Sequence, residues 1–551
     1  MNGITMLGGA IVIFLIAYVT YGSWLGKKLG IDPKNPTPAH VKNGQGDFVP
    51  TKSPILLGHH FASIAGAGPI VGPIQAAVFG WVPVFLWIVL GGIFFGGVQD
   101  YSSIVISVKH EGKSLGEIIE HYLGHKCKML FSIFVWLVLL LVIAAFTDIV
   151  ASTFTNGTVA TASLLFIPLA ILFGFFVYRR NANLGLSSVA GIILLIVCIG
   201  IGINFPIHMS KNFWRGFVLV YIFVASVSPV WILLQPRDYL NSFLLYFVII
   251  ASAVGILFTN PTITLPAFTG FKNPFNGQTI FPYLFITVAC GAISGFHSLV
   301  GSGSSSKQLD NEKDAKLVGY GAMLIECCLA IIALIAVAIL FKDGHMPKGN
   351  PFVVYAGAIA GTFKNLGLGE NAMKISYTVI SLSFSAFAIT SLDTGARLAR
   401  VVFQEIFVSE KRKIEKRESV LTNSYMATLI TVICGGVLCI AGYKNVWPIF
   451  GACNQLIAVP CFLAVGVWLA KTGRDNRMVI IPMVFMVFAT MTSLVMSFWN
   501  NMLIFKEGKG KISIHGIQSL MIIFIFVLAF MLLFEGIKVL LKVRKTSLEN
   551  N

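Results

Sequence analysis

GHHFASIAGAGPIVGPIQAA, residues 58–77, is the stretch on which the interpretation of this chain depends. It is long enough to cross a bilayer, yet it is rich in residues that weaken helices: Gly66, Gly68, Pro69, Gly72 and Pro73. Proline removes a backbone donor and glycine lowers helix order, so main-chain groups are left that lipid cannot satisfy. Transporters tolerate such broken helices where they line a cavity and hold substrates or ions. The stretch therefore predicts a binding site within a membrane.

The composition extends this prediction to the whole chain. Its 551 residues are 56% hydrophobic and 11% charged, and apolar runs of about 20 residues recur from end to end. We therefore expect an all-α polytopic membrane protein with the lipid bilayer as a partner. The net charge of +17 would suit nucleic acid, but the basic residues fall between the apolar runs, so no nucleic-acid partner is expected. Eight of the nine cysteines, including Cys290, lie inside apolar runs and are interpreted as packing residues.

The hydropathy pattern predicts about fifteen membrane spans. The predicted spans are 4–25, 54–80, 82–106, 127–155, 160–178, 184–204, 214–234, 238–259, 281–300, 315–341, 375–395, 421–442, 447–470, 478–499 and 514–536. The first run lacks a basic n-region and is too long for a cleavable signal, so we expect it to be retained. The densest basic loop, at 411–417, is expected in the cytoplasm, which puts the C-terminus inside and the N-terminus outside.

A second interrupted span is predicted at 214–234, where Pro229 and small residues fall within a bulky helix. It lies five spans after the first, so the two spans would run in opposite directions. This predicts a five-plus-five inverted repeat, a topology that resembles the LeuT-like amino acid-polyamine-organocation transporters. The predicted segments are a peripheral helix and cytoplasmic loop (1–53), repeat one (54–204), repeat two (205–400), and a basic loop with four additional transmembrane helices (401–551).

The broken helices supply the candidates for substrate binding. Amides that begin a half-helix suit a carboxylate, so an anionic or zwitterionic substrate is expected. His59 and His60 are consecutive and point about 100° apart on a helix, so at most one can face a site. Each histidine is either a functional group or a capping and packing residue. The candidates are His59, His60, Gly66, Ala67, Gly68, Pro69, Gly72, Ser228, Pro229, Trp231 and Gln235.

Ion-coupling candidates come from intramembrane carboxylates and from CGAISGFHSLVGSGSSSKQ, residues 290–308. The serine hydroxyls either complete a sodium site or allow close helix packing. Asp393 can pair with Arg397 one turn later, whereas Asp100 is either a proton carrier or the partner of a neighbouring helix. The candidates are Asp100, His297, Ser298, Ser302, Ser304, Ser305 and Asp393. No metal site or cofactor is predicted.

At several of these segments the chain resembles the carbon starvation protein A family. The shared motifs are GHHFASIAGAGPIVGP, GGVQDY, VWILLQPRDYLNS, FITVACGAISGFHSL and SGSSSKQ, and the resemblance covers about residues 54–470. It implies an uptake system of the bacterial cytoplasmic membrane for peptides or pyruvate. The family's features map onto His59, His60, residues 66–73, Gln99, Asp100, Pro229, Gln235, Arg237, Asp238 and His297 with its serines.

Together these patterns predict a secondary active transporter that imports a monocarboxylate or a short peptide, driven by a proton or sodium gradient. The partner could be a small membrane protein or further copies of the chain, and the sequence does not choose between them. One alternative is a nutrient receptor that signals without transport. Another is a membrane-embedded metallohydrolase that uses His59, His60 and His297 with a carboxylate, but the chain has no HExxH pattern. We therefore expect no enzyme.

Overall fold

Helices make up most of the described chain. The computed structural model describes residues 1–45, 47–180, 182–229, 232–275, 277–364, 366, 369–407, 420–440 and 442–549. Within these residues the β-contacts are isolated bridges only. The basic loop at 411–417, which set the predicted orientation, lies outside the described residues.

The α-helices are numbered in chain order. They are α1 Gly3–Val19, α2 Tyr21–Leu29, α3 Pro38–Val41, α4 Ser53–Ile64, α5 Gly68–Ala76, α6 Trp81–Gly91, α7 Gly97–Lys109, α8 Leu115–Leu123, α9 His125–Phe154, α10 Gly157–Gly174, α11 Leu184–Asn204, α12 Lys211–Val227, α13 Leu234–Thr259, α14 Ile280–Thr287, α15 Gly295–Gly303, α16 Ala322–Leu340, α17 Pro351–Phe363, α18 Gly369–Phe407, α19 Ser424–Cys439, α20 Tyr443–Lys471, α21 Arg477–Lys506 and α22 Ile517–Glu549.

Eleven helical stretches of the described chain are long and apolar enough to cross a membrane, and each matches one predicted span. The predicted span at 54–80 is a twelfth, formed by two helices that meet at a bend of 49°. The remaining three predicted spans contain shorter helices: α12, the α14–α15 pair and α19. The apolar helix α17 was not predicted.

The first broken span forms as its sequence predicts. α4 ends at Ile64 and α5 begins at Gly68, with Ala65 already outside helical geometry. Pro69 lies in the first turn of α5, where a missing backbone N–H costs little. α4 packs against α13, and α5 packs against α16, so both halves are held by surrounding helices.

The prediction of a second interruption at 214–234 is wrong. α12 ends at Val227, and Ser228 and Pro229 belong to the connection that leads to α13. Proline after a helix end cannot continue the helix, so Pro229 marks a stop and not a break. The second broken span is instead 280–303, where α14 and α15 are separated by the non-helical residues 288–294.

The two broken spans lie side by side and antiparallel. α4 contacts α15 and α5 contacts α14, so the two interruptions are adjacent. The backbones approach closely at Gly72, where an added Cβ would lie 2.5 Å from the carbonyl oxygen of Thr287. The glycine therefore permits this crossing. The inverted repeat itself stays a prediction.

We expect Gly72→Ala to destabilise the protein by about 1–3 kcal/mol, because its Cβ meets a backbone carbonyl and not a flexible side chain. The matched control is Gly200→Ala in α11, where nothing lies within 4 Å of the added Cβ. Thermal unfolding of both purified variants, followed by tryptophan fluorescence, measures the difference. Equal unfolding temperatures for the two variants would contradict the close crossing.

Candidate functional site

A cavity of about 630 Å³ lies beside the first broken span. Its walls come from α4, α8, α9, α15, α18 and the α12–α13 connection. It lies on the side of the molecule that holds the loop before α4, which the sequence predicts to be cytoplasmic. Its charged lining residues are Asp47, Glu117, Lys307, Arg397 and Glu405. The cavity therefore presents both signs of charge to one ligand.

Arg397 is held at the cavity wall by groups outside its own helix. Its Nη2 lies 3.6 Å from Oδ1 of Asp47, and its Nη1 donates a hydrogen bond to the Ser228 carbonyl at 3.4 Å. The predicted pair of Arg397 with Asp393 is wrong, because the Asp393 carboxylate is bound by Arg237. The guanidinium group of Arg397 therefore faces the cavity and does not pair with Asp393.

Only one of the two adjacent histidines faces this cavity, as helix geometry predicts. His59 is 7% exposed and lines the wall, with its Nε2 3.4 Å from the Ser304 hydroxyl. His60 is fully buried, and its Nδ1 lies 2.7 Å from the Ser305 hydroxyl. His60 therefore packs between the two broken spans, while His59 can meet a ligand.

A buried charge network lies behind His59. Nδ1 of His59 is 3.6 Å from Oδ2 of Asp238, whose other oxygen accepts a hydrogen bond from Arg237 Nη2 at 2.9 Å. Arg237 also binds Asp393, and the Tyr221 hydroxyl donates to the same Asp393 oxygen at 2.8 Å. Arg237, Asp238 and Asp393 are each at most 3% exposed. One cation therefore compensates two buried carboxylates.

The sequence pointed to only part of this network. The residue pattern by itself indicates Asp393, whereas only the family resemblance indicates Arg237 and Asp238, and neither indicates Tyr221. A local signal for Arg237 and Asp238 exists as well, because adjacent opposite charges at the start of an apolar helix are rare inside membranes. Tyr221 has no comparable signal, since aromatic residues are common throughout the chain.

A second buried cluster lies outside the cavity lining. His297 Nδ1 is 2.9 Å from Asp100 Oδ2, and His297 Nε2 is 3.5 Å from Glu326 Oε2. All three side chains are 0% exposed. Of the two alternatives open for Asp100, the structure shows a partner on a neighbouring element. Glu326 lies within the apolar run of α16 and is not among the predicted ion-coupling residues.

Two of the candidate serines are directed into their own helix. Ser298 donates to the Gly295 carbonyl and Ser302 donates to the Ser298 carbonyl, each at 2.7 Å. The sodium site and close helix packing both stay predictions for these serines. The hydroxyl of Ser228 likewise donates to the Val224 carbonyl at 2.7 Å.

Four of the remaining candidates lie at the first break. The residues buried at the first break are Gly66, Ala67, Gly68 and Pro69. Pro229 lines the cavity. Trp231 and the side chain of Gln235 lie outside the part of the chain that the structure describes.

The chain matches the family described as "Carbon starvation protein CstA" over residues 2–350 and 342–493. It is 29% identical to the peptide transporter CstA of Bacillus subtilis (strain 168), over 98% of this chain and 97% of that protein. It is 30% identical to the pyruvate/proton symporter BtsT of Escherichia coli (strain K12), over 87% of this chain and 80% of that protein. The crystal structure of MhsT in complex with L-phenylalanine is similar over 88% of this chain and 100% of that chain, with a TM-score of 0.49 and 13% identity. Because the family match includes both broken spans and both buried charge clusters, the chain belongs to the carbon starvation protein CstA family.

Proposed function

We propose that this protein is a secondary transporter that imports short peptides through the cytoplasmic membrane together with protons. The observation that carries the proposal is the cavity of about 630 Å³, lined by both acidic and basic side chains. The relatives support it, since one is named a peptide transporter and another a pyruvate/proton symporter.

The charges of the cavity fit a zwitterion. Arg397 and Lys307 would hold the peptide carboxylate, because guanidinium and ammonium groups pair well with carboxylates. Glu117 and Glu405 would hold the terminal ammonium group. The volume falls within the range of about 300–1,000 Å³ found for sites of drug-sized ligands. Pyruvate would use only the basic part of such a site, so the cavity favours a peptide.

His59 and Asp238 are the groups that we propose for proton coupling. Their side chains are within 3.6 Å of each other, and His59 is also part of the cavity wall. A proton bound at this pair would therefore be next to the bound substrate. Asp238 is in turn held by Arg237, which also binds Asp393 of α18. The charge of the His59–Asp238 pair would therefore affect the contact between α13 and α18. Asp100 and His297 take no part in this proposal, because neither lines the cavity.

The cavity lies on the predicted cytoplasmic side, so the structure would correspond to an inward-facing state. Import then requires an outward-facing state in which the same charged groups meet the outside. Movement of the two broken spans against the surrounding helices would supply this alternation, as in transporters with discontinuous helices.

The proposal is tested by uptake of labelled dialanine into proteoliposomes with an imposed proton or sodium gradient. We expect accumulation with the proton gradient and little with the sodium gradient. We also expect Arg397→Gln to abolish uptake, because it removes a charge of the proposed carboxylate site. Lys364→Gln, which changes an exposed basic residue, is the matched control.

Each other outcome of this experiment would support a different function. Gradient-driven pyruvate uptake that dialanine does not inhibit would assign the protein to monocarboxylates. Substrate binding without uptake of either compound would favour the receptor alternative. Release of free alanine by the purified protein would favour an enzyme.

A further inference from the structure

We infer that Cys290, His297 and Glu326 form a binding site for one zinc ion, buried between the second broken span and α16. The site is separate from the peptide cavity, and it does not depend on the proposed function. No metal site is expected from the sequence, which places Cys290 among packing residues.

The three ligands come from three elements of the fold. Cys290 lies in the non-helical segment 288–294, His297 lies in the first turn of α15, and Glu326 lies in α16. One sulfur, one ring nitrogen and one carboxylate oxygen lie within 4.8 Å of one another. His297 Nε2 and Glu326 Oε2 are 3.5 Å apart. Ligand atoms around a tetrahedral zinc ion are separated by about 3.3–3.7 Å, given bond lengths of 2.0–2.3 Å.

The polar atoms that face this point lack other partners. Both carboxylate oxygens of Glu326 and the Nε2 of His297 have no hydrogen-bond partner among the described residues. Both side chains are 0% exposed. An unpartnered polar group in an apolar interior is costly, and an unpaired carboxylate is more so. A bound cation would satisfy all of these atoms at once.

The surroundings match those of a metal-binding histidine. Asp100 Oδ2 lies 2.9 Å from His297 Nδ1, so it can accept that N–H and direct the Nε2 lone pair toward Glu326. Histidine ligands of zinc usually donate their second N–H to a carboxylate or carbonyl in this way. Asn454 Nδ2 is 3.9 Å from Cys290 Sγ and donates toward the sulfur.

The donor atoms select the class of metal. A thiolate, an imidazole and a carboxylate suit zinc, whereas calcium and magnesium prefer oxygen ligands only. The double positive charge of zinc would offset the charges of the Cys290 thiolate and the Glu326 carboxylate, which lowers the cost of burying them beside Asp100 inside a membrane. The ion would fix the non-helical segment 288–294 against α16, and thus the position of the second break.

The test is metal analysis of protein purified from cells grown with added zinc. We expect about one zinc per chain in the wild type and loss of bound zinc in Cys290→Ser and Glu326→Gln. Asp100→Asn, which removes the partner of the histidine, should lower zinc affinity by about 10–100-fold. Cys439→Ser is the control, because Cys439 is buried in α19, away from the cluster.

A second measurement covers the case in which a variant does not fold. Wild-type protein produced with cobalt in place of zinc should show a thiolate-to-cobalt charge-transfer absorption, which reports the Cys290 ligand directly. Wild-type protein without stoichiometric zinc, and without that absorption after cobalt loading, would overturn the proposal. Equal zinc content in Cys439→Ser and Cys290→Ser would overturn it as well.

Discussion

Arg237→Met is expected to destabilise the protein by about 3–5 kcal/mol, the cost of leaving a buried charge without its partner. Arg237 is 3% exposed and lies between Asp238 and Asp393, which are both 0% exposed. Methionine fills much of the same volume but supplies no charge, so both carboxylates lose their compensation. The yield of monodisperse protein and its unfolding temperature measure the effect.

A second substitution separates lost charge compensation from lost packing. Asp393→Asn in the Arg237→Met background removes one of the two unpaired carboxylates, so the double variant should be more stable than Arg237→Met alone. Lys126→Met is the control, because it removes an ion pair with Glu535 whose lysine side chain is 65% exposed. An Arg237→Met variant as stable as Lys126→Met would show that the buried network contributes little.

The parts of the fold that the sequence predicts correctly are those determined by local chemistry. Apolar runs of sufficient length require helices that cross the bilayer, whatever their neighbours are. The first break follows from glycine and proline within one such run. Helix geometry alone also separated His59 from His60, because consecutive residues cannot share a helix face.

The second break shows where local chemistry is insufficient. Pro229 has the same local effect whether it interrupts a helix or follows its end. Its place within an apolar run favours an interruption, but the helix has already ended at Val227. The sequence indicates 290–308 as an ion-coupling segment, but its glycines do not by themselves show that the helix is interrupted there. Their effect depends on tertiary packing: an added Cβ at Gly295 would overlap the carbonyl oxygen of Asn454 in α20.

The buried charge clusters are even less visible in the sequence. Arg237 and Asp393 are 156 residues apart, and Asp100 and His297 are 197 residues apart. Tertiary packing selects such pairs, so a charged residue can bind a different helix even when an opposite charge lies one helical turn away in its own. For this reason the sequence pairs Arg397 with Asp393, whereas in the structure Arg397 lies near Asp47. The same reasoning applies to the proposed zinc ligands, because a motif such as HExxH relies on helical spacing, whereas Cys290, His297 and Glu326 come from three elements of the fold.

Asp238→Asn is expected to abolish proton-driven accumulation while substrate exchange continues. Asparagine keeps the shape of the side chain but cannot take up a proton, so the His59–Asp238 pair loses one of its two titrating groups. At a membrane potential of 100 mV, one proton moved with a neutral zwitterion supplies about 2.3 kcal/mol, or roughly 50-fold accumulation. The variant should reach little more than the external concentration.

Two assays on the same proteoliposomes distinguish uncoupling from loss of binding. Gradient-driven uptake of labelled dialanine reports coupling, and exchange of internal for external dialanine without a gradient reports binding and reorientation. His59→Gln should resemble Asp238→Asn, because it removes the other member of the pair. His345→Gln, at an exposed histidine outside the cavity, should behave as the wild type. Full accumulation by Asp238→Asn would exclude this pair as the coupling site, whereas loss of exchange in both variants would place the pair in substrate binding instead.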